Sequence, residues 1–144
     1  MPARESASQL IRKHLSSRET AAGIPLHALH IERRIGVGAI GVVYAGSYRG
    51  RPVALKQPTC DRYELELKRL AEEIPPMRAL HHPNLVPFLG VVWEPTPMLM
   101  SAYLDEGTLS DALSLGSTVD ASRIAADVAS AMACLHLSQL CHRN

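Results

Sequence analysis

The 144-residue sequence has no excess of one charge, no membrane-length apolar run and no paired-cysteine spacing. Each absence removes a class of function. Fifteen Lys and Arg stand against fourteen Asp and Glu, for a net charge of +1, so no basic surplus exists to hold nucleic acid or an anionic membrane. No apolar stretch approaches the roughly 18 residues of a membrane span, and the N-terminus lacks the apolar centre of a signal peptide. The three cysteines, Cys60, Cys134 and Cys141, are odd in number and without CxxC spacing. That usage favours a reducing compartment over a disulfide framework, and the expectation is a cytoplasmic protein. Internal repeats and low-complexity tracts are missing too. What remains is a chain with 47% hydrophobic and 20% charged residues, ordinary for a globular domain with a real core.

Residues 1–24 are rich in Ser, Ala and charge and predict a flexible N-terminal extension. The runs "LHALHIERRIG", "GVVYAGSYRG" and "RPVALKQ" predict an antiparallel meander of about three strands. Arg49-Gly50 suits the hairpin turn between the last two, and Pro52 is tolerable at a strand start. "CDRYELELKRLAEEI" changes to helical period through Tyr63, Leu67, Leu70 and Ile74, with Asp61 as a cap. Pro75 and Pro76 are expected to stop or kink that helix. "NLVPFLGVVWEP" and "TPMLMSAYL" predict two further strands around a turn at Glu94–Pro97. "TLSDALSLG" then predicts a short helix. "DASRIAADVASAMACLHL" predicts a longer one with Ile124, Val128, Ala131 and Leu135 on one stripe and Met132 beside it. Strands, helix, strands and helices in that order make the fold class α+β.

The strongest local signal is "IGVGAIGVV", in which Gly36, Gly38 and Gly41 form GxGxxG and Val43 extends it to GxGxxGxV. Glycines let a backbone turn sharply and bring its N–H groups close to an anion. A dinucleotide-binding fold requires a helix directly after the glycines and an acid about 20 positions on. Here the next residues are strand-like, and the residue 20 beyond Gly36 is Lys56. The P-loop pattern GxxxxGK[ST] is also absent. Lys56 closes "VALK", fifteen residues after Gly41. A lone strand lysine is usually a solvated side chain. If the glycine loop joins two strands and "VALK" lies on a third, Lys56 projects under the loop towards phosphate. Periodicity alone does not choose between the two.

The segments "GVGAIGVV", "VALK", "ALHHPNLVPFLGVV", "EGTLSDAL" and "CLHLSQLCHRN" occur in an order and spacing that resembles the protein-kinase family, in particular its tyrosine-kinase-like branch of Raf-type and mixed-lineage members. The likeness covers roughly Ile31 to Asn144. It implies a kinase N-lobe over 25–104, an antiparallel sheet of about five strands with one C-helix. The first helices of an incomplete C-lobe would follow over 105–144. By resemblance Gly36, Val37, Gly38 and Gly41 form the loop over the ATP phosphates, Val43 packs on the adenine and Ala54 belongs to its roof. Lys56 would contact phosphate, paired with Glu73, nine residues before the His82 that opens "HPN". Ser101 would be a small gatekeeper, with the Ala102–Tyr103 backbone meeting the adenine edge. The usual acid of that segment is replaced by Ala102.

The implied activity is ATP-dependent phosphorylation of protein Ser/Thr or Tyr. The aspartate that the family uses to accept the substrate's hydroxyl proton is Asn144 here, and an amide is no general base. Positioned acid–base catalysis is worth roughly 10² to 10⁴ in rate. The family's Mg²⁺ ligands lie beyond the chain's end, and no metal site is expected. The chain is therefore expected to transfer phosphate poorly. Alternatives are a pseudokinase-like interaction module, with a protein partner covering the stripe 124–135, or an inert truncated product. Cys134, His136, Cys141 and His142 lie within nine residues, but two helical steps of about 200° set Cys134 and His136 on opposite sides. They are read as a core cysteine and ordinary histidines instead of zinc ligands.

Overall fold

The computed structural model describes residues 23–38, 41–58, 72, 74–93 and 95–142. A short 3₁₀ turn at Leu26–Ala28 precedes five strands: β1 (Leu29–Gly38), β2 (Gly41–Tyr48), β3 (Arg51–Pro58), β4 (Phe88–Val92) and β5 (Met98–Ala102). Two helices follow, α1 (Leu109–Ser114) and α2 (Ala121–Leu137). The strands form one antiparallel sheet in the order β1-β2-β3-β5-β4. The expected α+β architecture and five-stranded sheet are present. The strand expected across Leu26–Ala28 is instead the 3₁₀ turn, and β1 begins at Leu29.

The β2–β3 hairpin shows why these residues pair as they do. Tyr48 faces Arg51, and the two residues between them, Arg49 (φ 50°) and Gly50 (φ 75°), both have positive φ. That is a two-residue primed turn, whose twist matches that of the strands it joins. The Arg49 guanidinium sits 5.2 Å from the centre of the Tyr48 ring, a cation–π contact that holds the turn residue over its strand. From this turn the alternation of β3 follows. Val53 and Leu55 are fully buried, while Ala54 and Lys56 between and after them are only half-buried.

Val53 and Leu55 join Met98 and Met100 of β5, Val92 of β4 and Ile24 in the main core, against which Leu29, Tyr44 and Tyr48 pack. Each fully buried aliphatic side chain there contributes about 1.5–3 kcal/mol. Ile24 enters this core from outside the sheet. Gly23 bridges Val91 in parallel, and the Ile24 N–H donates to the Val91 carbonyl at 2.7 Å. The chain thus attaches at β4, one edge of the sheet, and reaches β1 at the other edge within five residues. Residues 23–28 strap the core face. Of the expected extension 1–24, the last two residues belong to the fold and the others lie outside the described residues.

The predicted helix over 61–74 falls mostly outside the described residues, but residues 74–79 are helical and Ile74 is fully buried. Glu72 is helical as well, so the chain stays helical past Pro75 and Pro76 instead of stopping there.

Cα proximity divides the chain into two compact units, one reaching to Ala79 and including Pro87–Tyr103, the other made of Leu80–Val86 and the chain from Leu104. The sheet is the first unit. In the second, the Asn84 N–H donates to His82 Nδ1 at 3.1 Å, leaving Nε2 to donate to Ser130 Oγ on α2, also 3.1 Å away. Thr108 and Asp111 form a reciprocal capping box at the start of α1. Asp120 caps α2 by accepting from the Arg123 N–H at 3.0 Å. α2 buries Ala131 and Leu135 but leaves Val128 56% exposed. An open groove of about 950 Å³ runs along this apolar stripe, lined by Ile124, Val128, Met132, Leu135, Leu85 and His142 among others. Among the described residues no helix is long and apolar enough to cross a membrane.

Two outcomes follow from the strap and the cap. Ile24→Ala should lower the unfolding free energy of the sheet unit by about 2–4 kcal/mol, as core truncations of this size do. Urea denaturation read by circular dichroism checks this, and an unchanged midpoint would mean that the strap carries no core contact. Asp111 is held below its ordinary value of 3.8, first by the Thr108 hydroxyl and then by the Thr108 backbone N–H, with slight desolvation opposing. A carboxyl lowered in the folded state contributes fully above that ordinary value and loses its contribution as pH falls through the lowered one. The Thr108 and Asp111 amide resonances should therefore stay constant near neutral pH and shift only in acid, with Thr108→Ala moving the transition to higher pH.

Candidate functional site

Strand register decides which of the expected residues can act together. Side chains directly opposite one another in antiparallel strands share a face, and along a strand that face recurs every second residue. Gly36, Val43, Lys56 and Leu99 form one row across β1, β2, β3 and β5. Arg33, Ala45, Ala54 and Ser101 form the next. The core residues Val53, Leu55 and Met100 alternate to the opposite side. Gly36, Val43, Ala54, Lys56 and Ser101 therefore share one surface, away from the core that holds the sheet together. Val37 pairs with Val42 and Ala102 with Val53, so their side chains alternate away from it and only their main chain borders the face.

This surface has small side chains in the middle, with Arg33 in one row and Lys56 in the next. Ala45 and Ala54 project only methyl groups, and Val43 adds a branched one, leaving a shallow floor across the two central strands. Lys56, half-buried, stands one row further along. Two strand spacings, about 10 Å, separate it from Gly36, a gap that a lysine side chain and a phosphate group can span together.

The glycines have different reasons to be glycine. Gly41 (φ 152°) pairs with Pro58, and an added Cβ would collide with the Gln57 carbonyl oxygen. Its backbone conformation and the approach of β3 both require the missing side chain. Gly36 is under no such demand, since a Cβ there would meet only Val43 at an ordinary 3.8 Å. The fold therefore does not explain why position 36 is a glycine. Gly38 pairs with Gly41, so the connection is the two residues 39–40, outside the described residues.

Past Ser101, the Ala102 N–H donates to the Pro87 carbonyl at 3.0 Å and the Tyr103 N–H to the Pro52 carbonyl at 3.5 Å. Both donors of the segment expected to meet a base are thus engaged within the sheet. The Tyr103 hydroxyl accepts from Arg33 Nη2 at 3.3 Å. Among the described residues Lys56 has no carboxylate partner. Glu73 and Asn144 lie outside the described residues. Among the described residues no group of three or more His, Cys, Asp or Glu could hold a metal ion, the set around Cys134 and His142 included. Cys134 and Cys141 are free thiols.

Three members of the face, Leu99, Ala45 and Arg33, were not legible as site residues. Leu99 stands opposite Lys56, and the alternation of "MLMSA" was its only sequence signal. Arg33 carried no signal, because bulges in β1 between Ile31 and Arg33 and between Arg34 and Gly36 shift its alternation.

The family described as protein tyrosine and serine/threonine kinase matches residues 29–144. The chain is 39% identical over 92 residues to the Dictyostelium discoideum protein named "Probable serine/threonine-protein kinase drkD", covering 62% of this chain and 7% of that protein. It is 32% identical over 126 residues to mitogen-activated protein kinase kinase kinase 13-A of Xenopus laevis, 84% of this chain and 12% of the other. To serine/threonine-protein kinase STY17 of Arabidopsis thaliana it is 28% identical over 127 residues, 84% of this chain and 22% of the relative. The chain thus spans less than a quarter of each of these relatives.

The contrast between the glycines can be measured. Gly41→Ala should destabilise the sheet unit by about 1–3 kcal/mol through backbone strain, whereas Gly36→Ala should leave the melting temperature within about 2 °C of wild type. Equal losses in the two variants would show that Gly36 is also held by the fold.

Proposed function

The chain belongs to the protein tyrosine and serine/threonine kinase family, and from that premise we propose that its sheet unit binds ATP on the face carrying Val43, Ala54, Lys56 and Ser101. The function served is phosphorylation of protein serine or threonine, in keeping with the names of the relatives. One observation carries the reading. The register sets Gly36, Val43 and Lys56 in one row and Ala54 and Ser101 in the next, so an apolar slot adjoins a cation.

The chemistry follows from that order. The base lies against Val43 and the methyl of Ala54, where small side chains leave room for a planar ring. The phosphates extend towards Lys56, whose ammonium offsets their charge, beneath a glycine strand that can approach closely at Gly36. Phosphoryl transfer relies on positioning and charge stabilisation more than on covalent chemistry by the protein. The N–H groups of Ala102 and Tyr103 are already engaged. Base reading by that segment therefore falls to carbonyl oxygen, which accepts from the exocyclic amine of adenine and rejects the carbonyl of guanine. Glu73 is proposed to orient Lys56. Magnesium, which the family uses to bridge the phosphates, finds no ligand set among the described residues, and no step is assigned to it here.

Asn144 favours a second reading. An amide at the proton-accepting position removes the base, so the chain would hold nucleotide without turning it over. In that case its output is a protein contact, and the apolar groove along α2 is the surface a protein partner would cover.

A thermal-shift titration separates these possibilities. Nucleotide at about 100 times its Kd stabilises the folded state by ~2.7 kcal/mol. ATP should raise the melting temperature of the wild type, with a smaller rise for GTP and a smaller rise for ATP in Lys56→Met. An absent shift, or one unaffected by Lys56→Met, removes the ATP-binding reading. Transfer of labelled phosphate to a generic protein substrate removes the second.

A further inference from the structure

We infer that Arg33 is a positioning residue for the nucleoside end of this face, acting through Tyr103. The inference rests on the ATP-binding reading above and adds to it a residue that none of the sequence motifs contains. Arg33 Nη2 donates to the Tyr103 hydroxyl at 3.3 Å across 70 positions of chain.

The register gives this contact its meaning. Arg33 lies in the row of Ala45, Ala54 and Ser101, on the face that carries Lys56. Tyr103 follows two residues after Ser101, and its N–H is fastened to the Pro52 carbonyl. Three strand spacings, about 14 Å, separate β1 from β5, so neither side chain alone crosses the sheet and the two together do. Ala45, opposite Arg33 in the register, carries only a methyl group and is 4% exposed, as a residue under such a crossing is.

Position along the strands also matters. Lys56 occupies the row on the glycine-loop side of Arg33, and Tyr103 lies on the other side, past Ser101. The phosphate end and the Arg33–Tyr103 end of the face are therefore distinct. The pair closes the face where a base and its sugar lie, and it joins the outermost strand to the segment that reads the base. Arginine offers five N–H donors in a planar fork. With one of them on the phenol oxygen, the phenol ring is held as a wall beside the base. A lone exposed arginine has many rotamers, and the hydroxyl selects one of them.

The test compares ligands that share the nucleoside but differ in phosphate. Dissociation constants for ATP and for adenosine would be measured by calorimetry on the full chain, for wild type, Tyr103→Phe, Arg33→Gln, their double variant and Arg33→Lys. Tyr103→Phe and Arg33→Gln should each weaken both ligands about 3- to 10-fold, the scale of one charge-assisted hydrogen bond near the surface. The double variant should lose no more than either single one, since both remove the same contact. Arg33→Lys should recover part of the affinity, and melting temperatures of the free proteins should agree within about 2 °C. Lys56→Met supplies the contrast by weakening ATP while sparing adenosine. Losses that multiply in the double variant, a loss in Arg33→Gln confined to ATP, or unchanged affinities would each overturn the pairing while leaving ATP binding intact. A wild type that binds neither ligand overturns both.

Discussion

The primed turn at Arg49-Gly50 sets the register of β2 against β3, and with it the face to which every side chain of the two central strands is assigned. A strand alternates with period two, so a slip of one residue would send Lys56 into the core and Leu55 to the ligand side. Both errors are costly: a buried unpaired ammonium is strongly disfavoured, and Leu55 would lose its burial. The hydrophobic alternation and the turn geometry therefore enforce the same pairing. Because β5 pairs with β3 from the other side, Ser101 and Leu99 take their places from the same decision. The candidate site is in this sense a by-product of core formation on the opposite face.

That core needs a cover, and the strap supplies part of it. Ile24 packs with Val92, Met98 and Met100, and its N–H bonds to the Val91 carbonyl. The same hydrogen bond satisfies an acceptor on β4, an outer strand whose free edge would otherwise invite another chain. Nothing in the composition of residues 1–24 marks Ile24 as a core residue. A single isoleucine between Gly23 and Pro25 has no periodicity to read. Its role depends on a partner 67 positions away, and only folding brings that partner near.

Elsewhere the legibility of elements tracks how local their causes are. The hairpin was readable because the turn demands positive φ at two adjacent residues and Gly50 meets one of those demands. The caps at Thr108 and Asp120 were equally local, since each side chain bonds an N–H three residues on. The double proline was harder to read for the converse reason. Whether a helix ends at a proline or runs past it depends on what the helix packs against, which is not local information. Residues 74–79 stay helical, with Ile74 fully buried.

The amino-acid sequence by itself determined the kinase resemblance, the α+β order of elements and the residue types on offer: three glycines in a GxGxxG pattern, a lysine on a later strand, an asparagine where the family carries an aspartate. It did so because these are matters of identity and spacing along the chain. Tertiary structure alone decided which of them share a surface, that Gly41 serves the sheet while position 36 could carry a Cβ, and that Arg33 meets Tyr103. The physical reason lies in strand pairing. Each ladder converts distant positions into neighbours about 5 Å apart, and bulges in β1 change the alternation by amounts that no periodic pattern encodes.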